Sequence, residues 1–163
     1  MAIRVIDRSR FIEAERQALA WPPKLAVAVI AERHVWDGGA ELLMVRRNWP
    51  PYYMSFELPT GAVKPGQTIE AAAQEALLAV AGVDVPADQM QIVGAFASND
   101  ERGATMTVVY RCALSLSSEP DESRAYAVGP RLQWRPYSKI PSMAFDHAQI
   151  VARRMQKTQE KPR

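Results

Sequence analysis

The sequence predicts a single α/β domain with a mixed β-sheet and helices packed on its faces. Three observations carry that expectation. Short runs rich in Val, Leu and Ile recur at Leu25–Ile30, Glu41–Val45, Gln91–Ala97, Thr105–Leu116 and Leu132–Tyr137, the composition of half-buried or buried strands. Between them Ile69–Ala81 contains neither Gly nor Pro, is dominated by Ala and Leu, and is closed by Gly82, which is the pattern of a helix with a glycine C-cap. At 163 residues with 48% hydrophobic and 23% charged content, the chain has one domain's worth of ordinary globular composition. Strands and helices alternate irregularly, which suits a mixed sheet better than a regular parallel one.

Taken in order, SRFIEAERQALA from Ser9 predicts a short helix within an extension over residues 1–22, capped by Ser9 and ended by Trp21-Pro22-Pro23. The first two strands are joined through His34–Ala40, where Asp37-Gly38-Gly39 is a hairpin signal. A loop, NWPPYYMSFELPTG, precedes the central helix. SNDERG reads as the turn between the third and fourth strands, and Ser117–Pro130 as a surface loop. Ala144–Gln156 reads as the last helix, and residues 157–163 as a frayed tail.

Composition also excludes function classes. One cysteine, Cys112, forbids an internal disulfide and a cysteine-rich zinc site, and reads as an inert buried thiol. His34 and His147 are too far apart in sequence for a metal-ligand spacing. A net charge of +2 implies no broad basic face for nucleic acid. The longest mainly apolar run, Leu25–Ala31, is far shorter than the roughly 20 residues of a membrane span. The charged N-terminus lacks a secretory leader's apolar stretch, so the expected setting is cytoplasmic.

One segment carries a family resemblance. Leu58-Pro59, then Gly61, then Gly82-Val83 frame a stretch, Leu58–Val83, that resembles the Nudix box, G-x5-E-x7-R-E-U-x-E-E-x-G-U with U apolar. Leu43–Arg47, Phe96–Tyr110 with Asp100 and Arg102-Gly103, and Ala144-Phe145-Asp146-His147 resemble further segments of ADP-ribose pyrophosphatase-type members. The resemblance implies a Nudix-type α/β/α sandwich over residues 1–163. In the family, carboxylates on one face of the box helix hold Mg²⁺ against a diphosphate.

Here those positions are rewritten. In the gap-free frame the first Glu is Gln67, the Arg is Glu75, and the metal-binding Glu positions are Ala76, Ala79 and Val80. Residues three and four apart share a helix patch, and Mg²⁺ requires oxygen ligands, so no metal is expected at these three positions. Glu75 and Glu57 are the candidate catalytic acids; the first is otherwise an exposed helix residue, the second a surface one. Glu70 is an ordinary first-turn acid. The candidate ligand contacts are Arg46, Arg47, Trp49, Tyr52, Glu57, Gly61, Asp100 and Arg102; for the two adjacent arginines the resemblance implies phosphate. Arg46 and Arg47 are either phosphate ligands or a solvated strand end. Trp49, Tyr52 and Tyr53 either stack on a base or cap the core, and Asp100, Glu101 and Arg102 either bridge at a turn or line a pocket. Phe145-Asp146-His147 is read as a structural helix start, with Asp146 near the cap.

The central helix is apolar nearly all round, which predicts burial on more than one side by the chain's own loops, by an apolar ligand group or in a homodimer. The leading expectation is therefore a Nudix-fold protein without ordinary Mg²⁺-dependent diphosphatase activity, binding a nucleotide-like small molecule or a partner and needing no cofactor. The alternative is a divergent hydrolase of ADP-ribose-like compounds that uses relocated acids and Mg²⁺. A third is a pure interaction module. Only about 20 residues follow Phe145, so the DNA-binding winged helix of some regulators that resemble this family is not expected.

Overall fold

The computed structural model describes residues 23–115 and 132–159, the last three by backbone alone. The expected N-terminal helix and the Ser117–Pro130 loop lie outside the described residues. Seven strands form one mixed sheet: β1 Lys24–His34, β2 Ala40–Arg46, β3 Phe56–Glu57, β4 Thr60–Ala62, β5 Gln91–Asp100, β6 Gly103–Leu114 and β7 Leu132–Pro136. Two helices, α1 Ile69–Ala81 and α2 His147–Gln159, cover its faces. Among the described residues no helix is long and apolar enough to cross a membrane.

β1 organises the sheet because it is apolar on both faces, as a strand covered on both sides must be. It runs parallel to β6 from Lys24 opposite Thr105 to Arg33 opposite Leu114. Its other edge is divided. Ala26–Ala28 pair with β4, and Glu32–His34 pair with β2. In the fork between them runs Leu58-Pro59, with the Val29 amide donating to the Pro59 carbonyl at 2.9 Å. That fork places the candidate site.

Strand alternation splits the core in two. Val27, Val29 and Ala31 face α1 with Ala73, Ala76 and Leu77; Ala28 and Ile30 face α2 with Phe56, Leu58 and Ile150. Fully burying one such side chain, Leu77 for example, contributes about 1.5–3 kcal/mol. α1 starts where Thr68 accepts the Ala71 amide and stops at Gly82, whose φ of 67° is cheap only for glycine. Its bounds are those read from the sequence. The apolar surplus is taken up largely within the chain: Ala72, Ala73, Ala76, Leu77 and Ala81 are buried, and Leu78, Ala79 and Val80 half-buried.

Several sequence expectations change. β1 extends to His34 because the hairpin turn is tighter than His34–Ala40. β3 lies inside what reads as a loop and β4 starts in it, both too short to show a period. β5 continues into the polar SNDERG stretch, pairing Asp100 with Gly103. α2 begins at His147 rather than Ala144 and continues to Gln159, through the first residues of the expected frayed tail.

Candidate functional site

Beside the fork, the loop after β2 folds back on itself. The Arg47 amide donates to the Ser55 carbonyl, and the Met54 amide to the Arg47 carbonyl. This brings Arg47 over Glu57 of β3, with Nη1 2.5 Å from Oε2 and Nε donating to the Pro51 carbonyl at 3.0 Å. Both residues are buried, at 5% and 9% exposure. Burial pushes the Glu57 carboxyl above its ordinary range, against the opposing pull of Arg47.

A second cluster comes from the β5–β6 turn. Arg102 donates through Nη2 to Asp100 at 2.6 Å and to Asp146 at 3.0 Å, and its guanidinium lies 4.0 Å from the Phe145 ring centre. Arg102 holds the Asp100 carboxyl below its usual range. Phe145 joins the clusters: the Arg47 guanidinium is 4.8 Å from its ring, and Tyr52 packs on it edge-on at 5.1 Å. The Tyr52 hydroxyl donates to Glu101 at 2.7 Å. Trp49, 44% exposed, has Arg47 against its ring at 5.2 Å. Among the described residues, the non-glycine positions with positive φ are Tyr52, Met54 and Phe145, all here. Such strain gathers where a site dictates the backbone.

The structure thus brings together Arg47, Trp49, Tyr52, Glu57, Asp100 and Arg102. It does not bring in three other sequence candidates. Arg46, the last residue of β2, makes none of the contacts that join the two clusters, and its Nε is buried without a hydrogen-bond partner. Gly61 packs against α1, where a Cβ would stand 3.1 Å from that of Ala76, so its glycine is needed for close helix approach. Glu75 lies on the surface, paired with Lys64 and accepting from Gln67 Nε2 at 2.7 Å. Gln67 and Glu75, which the gap-free frame sets at the consensus Glu and Arg positions, are hydrogen-bonded to each other. Glu70 accepts the Tyr110 hydroxyl.

Phe145, Asp146 and His147 belong to the site, which sequence reasoning missed. Asp146 turns its side chain to Arg102, a contact across 44 positions that no local pattern signals. His147 is fully buried, and its Nδ1 accepts the Leu58 amide at 3.1 Å, tying α2 to the fork. Burial lowers its pKa from 6.5 to about 4, because the imidazolium would be desolvated. The unfolded chain therefore takes up a proton at this position between pH 6.5 and 4 that the folded chain refuses. Its stability contribution is complete above pH 6.5 and falls as pH drops toward 4, by about 3 kcal/mol in all. In His147→Asn, which retains an acceptor for the Leu58 amide, urea unfolding across this window should lose that part of the acid slope. Parallel pH profiles for the two proteins would refute it.

Metal binding has no donor set on the box helix. Ala76, Ala79 and Val80 offer no oxygen, and among the described residues no group of three or more His, Cys, Asp or Glu is placed to share an ion. Mg²⁺ therefore finds no oxygen ligand at positions 76, 79 and 80.

The sequence matches the family model of the NUDIX domain over residues 23–154. The chain belongs to the Nudix family. No curated protein sequence matches it significantly. Among solved structures, the Nudix domain of Shewanella oneidensis NrtR complexed with ADP ribose superposes with a TM-score of 0.73 at 19% identity, covering 94% of this chain and 99% of that one. A MutT/nudix family protein from Enterococcus faecalis gives 0.72 at 17% identity, with 97% and 71% covered. A bifunctional NMN adenylyltransferase/ADP ribose pyrophosphatase from Francisella tularensis, complexed with AMP and a manganese ion, gives 0.64 at 21%, with 93% of this Nudix chain and 47% of that protein covered. At these identities the likeness is one of fold.

Proposed function

We propose that this Nudix-fold chain binds a nucleotide-like ligand through its nucleoside part, without ordinary Mg²⁺-dependent diphosphatase activity. The observation that carries this reading is the site's division of labour. Exposed rings at Trp49, Tyr52 and Tyr53 form a lip above a cluster in which Arg47 and Arg102 are already paired with carboxylates. Such a lip stacks a base, and Asp100, Glu101 and Asp146 supply acceptors for hydroxyl or amino hydrogens. A diphosphate finds both site guanidiniums, Arg47 and Arg102, already engaged by carboxylates, and no carboxylates at positions 76, 79 and 80 to bring Mg²⁺ to it. The NrtR domain that superposes on the chain carries ADP ribose, which makes that compound the first probe.

In calorimetry with EDTA present, ADP-ribose and adenosine should both bind, and Trp49→Ala should weaken each by about 1–3 kcal/mol, roughly tenfold or more. A Mg²⁺-dependent phosphate-release screen over ADP-ribose, dinucleotides and nucleotide sugars should show no appreciable turnover. Robust turnover abolished by Glu75→Gln or Glu57→Gln in a folded protein would instead establish the divergent hydrolase with relocated acids. We also propose a homodimer. Its support is β5, which pairs only with β6 among the described residues and exposes Ile92 at 66%. A stable interface needs more than about 1,000 Å², and a monomeric mass by light scattering at high concentration would contradict it.

A further inference from the structure

Among the described residues, the buried and half-buried arginines at 33, 47, 102, 111 and 154 each bridge a carboxylate. Arg46 and Arg135, both half-buried, bridge none. The Arg46 side chain makes no hydrogen bond, ion pair or ring contact among the described residues, and its Nε is buried. Arg135 Nε is likewise buried and without a partner. A guanidinium held partly out of water with no counter-ion is unfavourable, and a buried N–H left unpaired adds to that cost. Orphaned donors of this kind point to an acceptor that the chain does not itself supply.

Strand pairing sets both on one patch. Arg46 stands opposite Phe56 of β3, and directly opposed residues share a face with Cβ atoms about 4.5–5.5 Å apart. On β7, at the other edge of β2, Arg135 stands opposite Leu42 and Gln133 opposite Met44. Leu42, Met44 and Phe56 all belong to the core on the α2 side of the sheet. The Arg135 guanidinium lies 5.7 Å from the Phe56 ring centre, so its side chain crosses β2 on that same side. Arg46 and Arg135 therefore flank one ring.

The patch offers donors. Gln133 spends its carbonyl on Arg135 Nη2 at 2.5 Å and keeps its NH₂ group. The acids that adjoin it in the ladder are committed elsewhere. Glu57, next to Phe56, pairs with Arg47, and Glu41, next to Leu42, pairs with Arg33. Glu32, opposite Leu42 on β1, pairs with Arg111. Two cations thus meet with no carboxylate bonded to either. Planar guanidinium forks match phosphate oxygens in pairs, and a phosphate monoester carries about −1.5 to −2 charges at pH 7 on three acceptor oxygens.

We propose that Arg46, Arg135 and Gln133 form an anion site on the β2–β7 edge, outside the Arg47 and Arg102 clusters, for a phosphate group, either free or as the monoester of a small molecule. The two guanidiniums take its oxygens from either side of Phe56, and Gln133 adds a neutral donor.

The test is NMR titration of the full chain at pH 7 and fixed ionic strength with inorganic phosphate, phenyl phosphate and acetate. Phosphate should shift the Nε–H resonances of Arg46 and Arg135 saturably, and acetate should bind about tenfold or more weakly. Tighter binding of phenyl phosphate than of inorganic phosphate assigns the site to an ester, and the reverse assigns it to the free ion. Arg46→Gln and Arg135→Gln should each weaken phosphate about tenfold or more. Arg46→Gln removes an uncompensated cation, so the variant should fold and melt no lower than the wild type in phosphate-free buffer. Phosphate should raise the wild-type melting temperature above that in chloride of equal ionic strength, and should not do so in Arg46→Gln. Absence of saturable shifts, acetate binding as tight as phosphate, or wild-type phosphate affinity in either folded variant would overturn the proposal.

Discussion

Placing Glu at positions 76, 79 and 80 together should destabilise the protein by about 4 kcal/mol and return no more than a trace of Mg²⁺-dependent turnover. The cost is concentrated at Ala76. It is 4% exposed and faces the Gly61 backbone so closely that a Cβ on Gly61 would come within 3.1 Å of its own. A glutamate there meets overpacking, which costs about 1–3 kcal/mol, and an uncompensated buried charge, which costs about 3–5 kcal/mol when a pair is broken. The terms overlap, since the side chain escapes part of the second by displacing the helix. Ala79 and Val80 are half-buried and add less. For a domain of this size the melting temperature should fall by roughly 10 °C. Each electrostatic contact absent from a hydrolytic site typically costs about 10²–10³ in rate, and carboxylates added to a displaced helix do not restore the geometry. Thermal unfolding and phosphate release on the triple variant measure both effects. An unchanged melting temperature together with strong turnover would show that the helix face had remained open to metal.

The second large effect belongs to the Arg47–Glu57 pair. Its side chains are only 6% and 11% exposed, so removing one charge leaves the other buried without its partner. Arg47→Met and Glu57→Met should each cost about 3–5 kcal/mol. The double variant should cost much less than their sum, because it leaves no uncompensated charge. Arg47 should be the more damaging single change, since its Nε also holds the Pro51 carbonyl and its guanidinium lies against Trp49 and Phe145. It should therefore loosen the aromatic lip and weaken adenosine binding as well. Urea unfolding of the four proteins at pH 7 gives the coupling directly, and additive single-variant losses would show that the pair is not a unit.

The helix bounds at Ile69 and Ala81 were legible because Thr68 and Gly82 act locally: each satisfies or releases backbone groups of its own terminus. The buried thiol was legible too. Cys112 is 2% exposed, and burial raises its pKa to about 11. The aromatic residues of the Asn48–Met54 loop were found as candidates because Pro-Pro and clustered rings are rare enough to mark a segment. Their partners were not found. Phe145, Asp146 and His147 read as a helix start, since contacts reaching from Arg102 to Asp146 or from Leu58 to His147 leave no trace in either neighbourhood.

Composition, caps and motif spacing are properties of short windows, so the family frame, the α/β class and the absence of oxygen donors at 76, 79 and 80 can be read along the chain. Which candidates share a site depends on how distant segments pack. Two adjacent arginines, Arg46 and Arg47, are separated by strand alternation, and Glu75 is drawn to Lys64 while Glu57 is drawn inward to Arg47. The same physics assembled Glu32, Arg111, Tyr137 and Arg154 from two strands, a short 3₁₀ turn and a helix. A buried carboxylate takes whichever donors the fold places within reach, and that placement is set by the register of β1 with β6 and by the seat of α2 on the sheet.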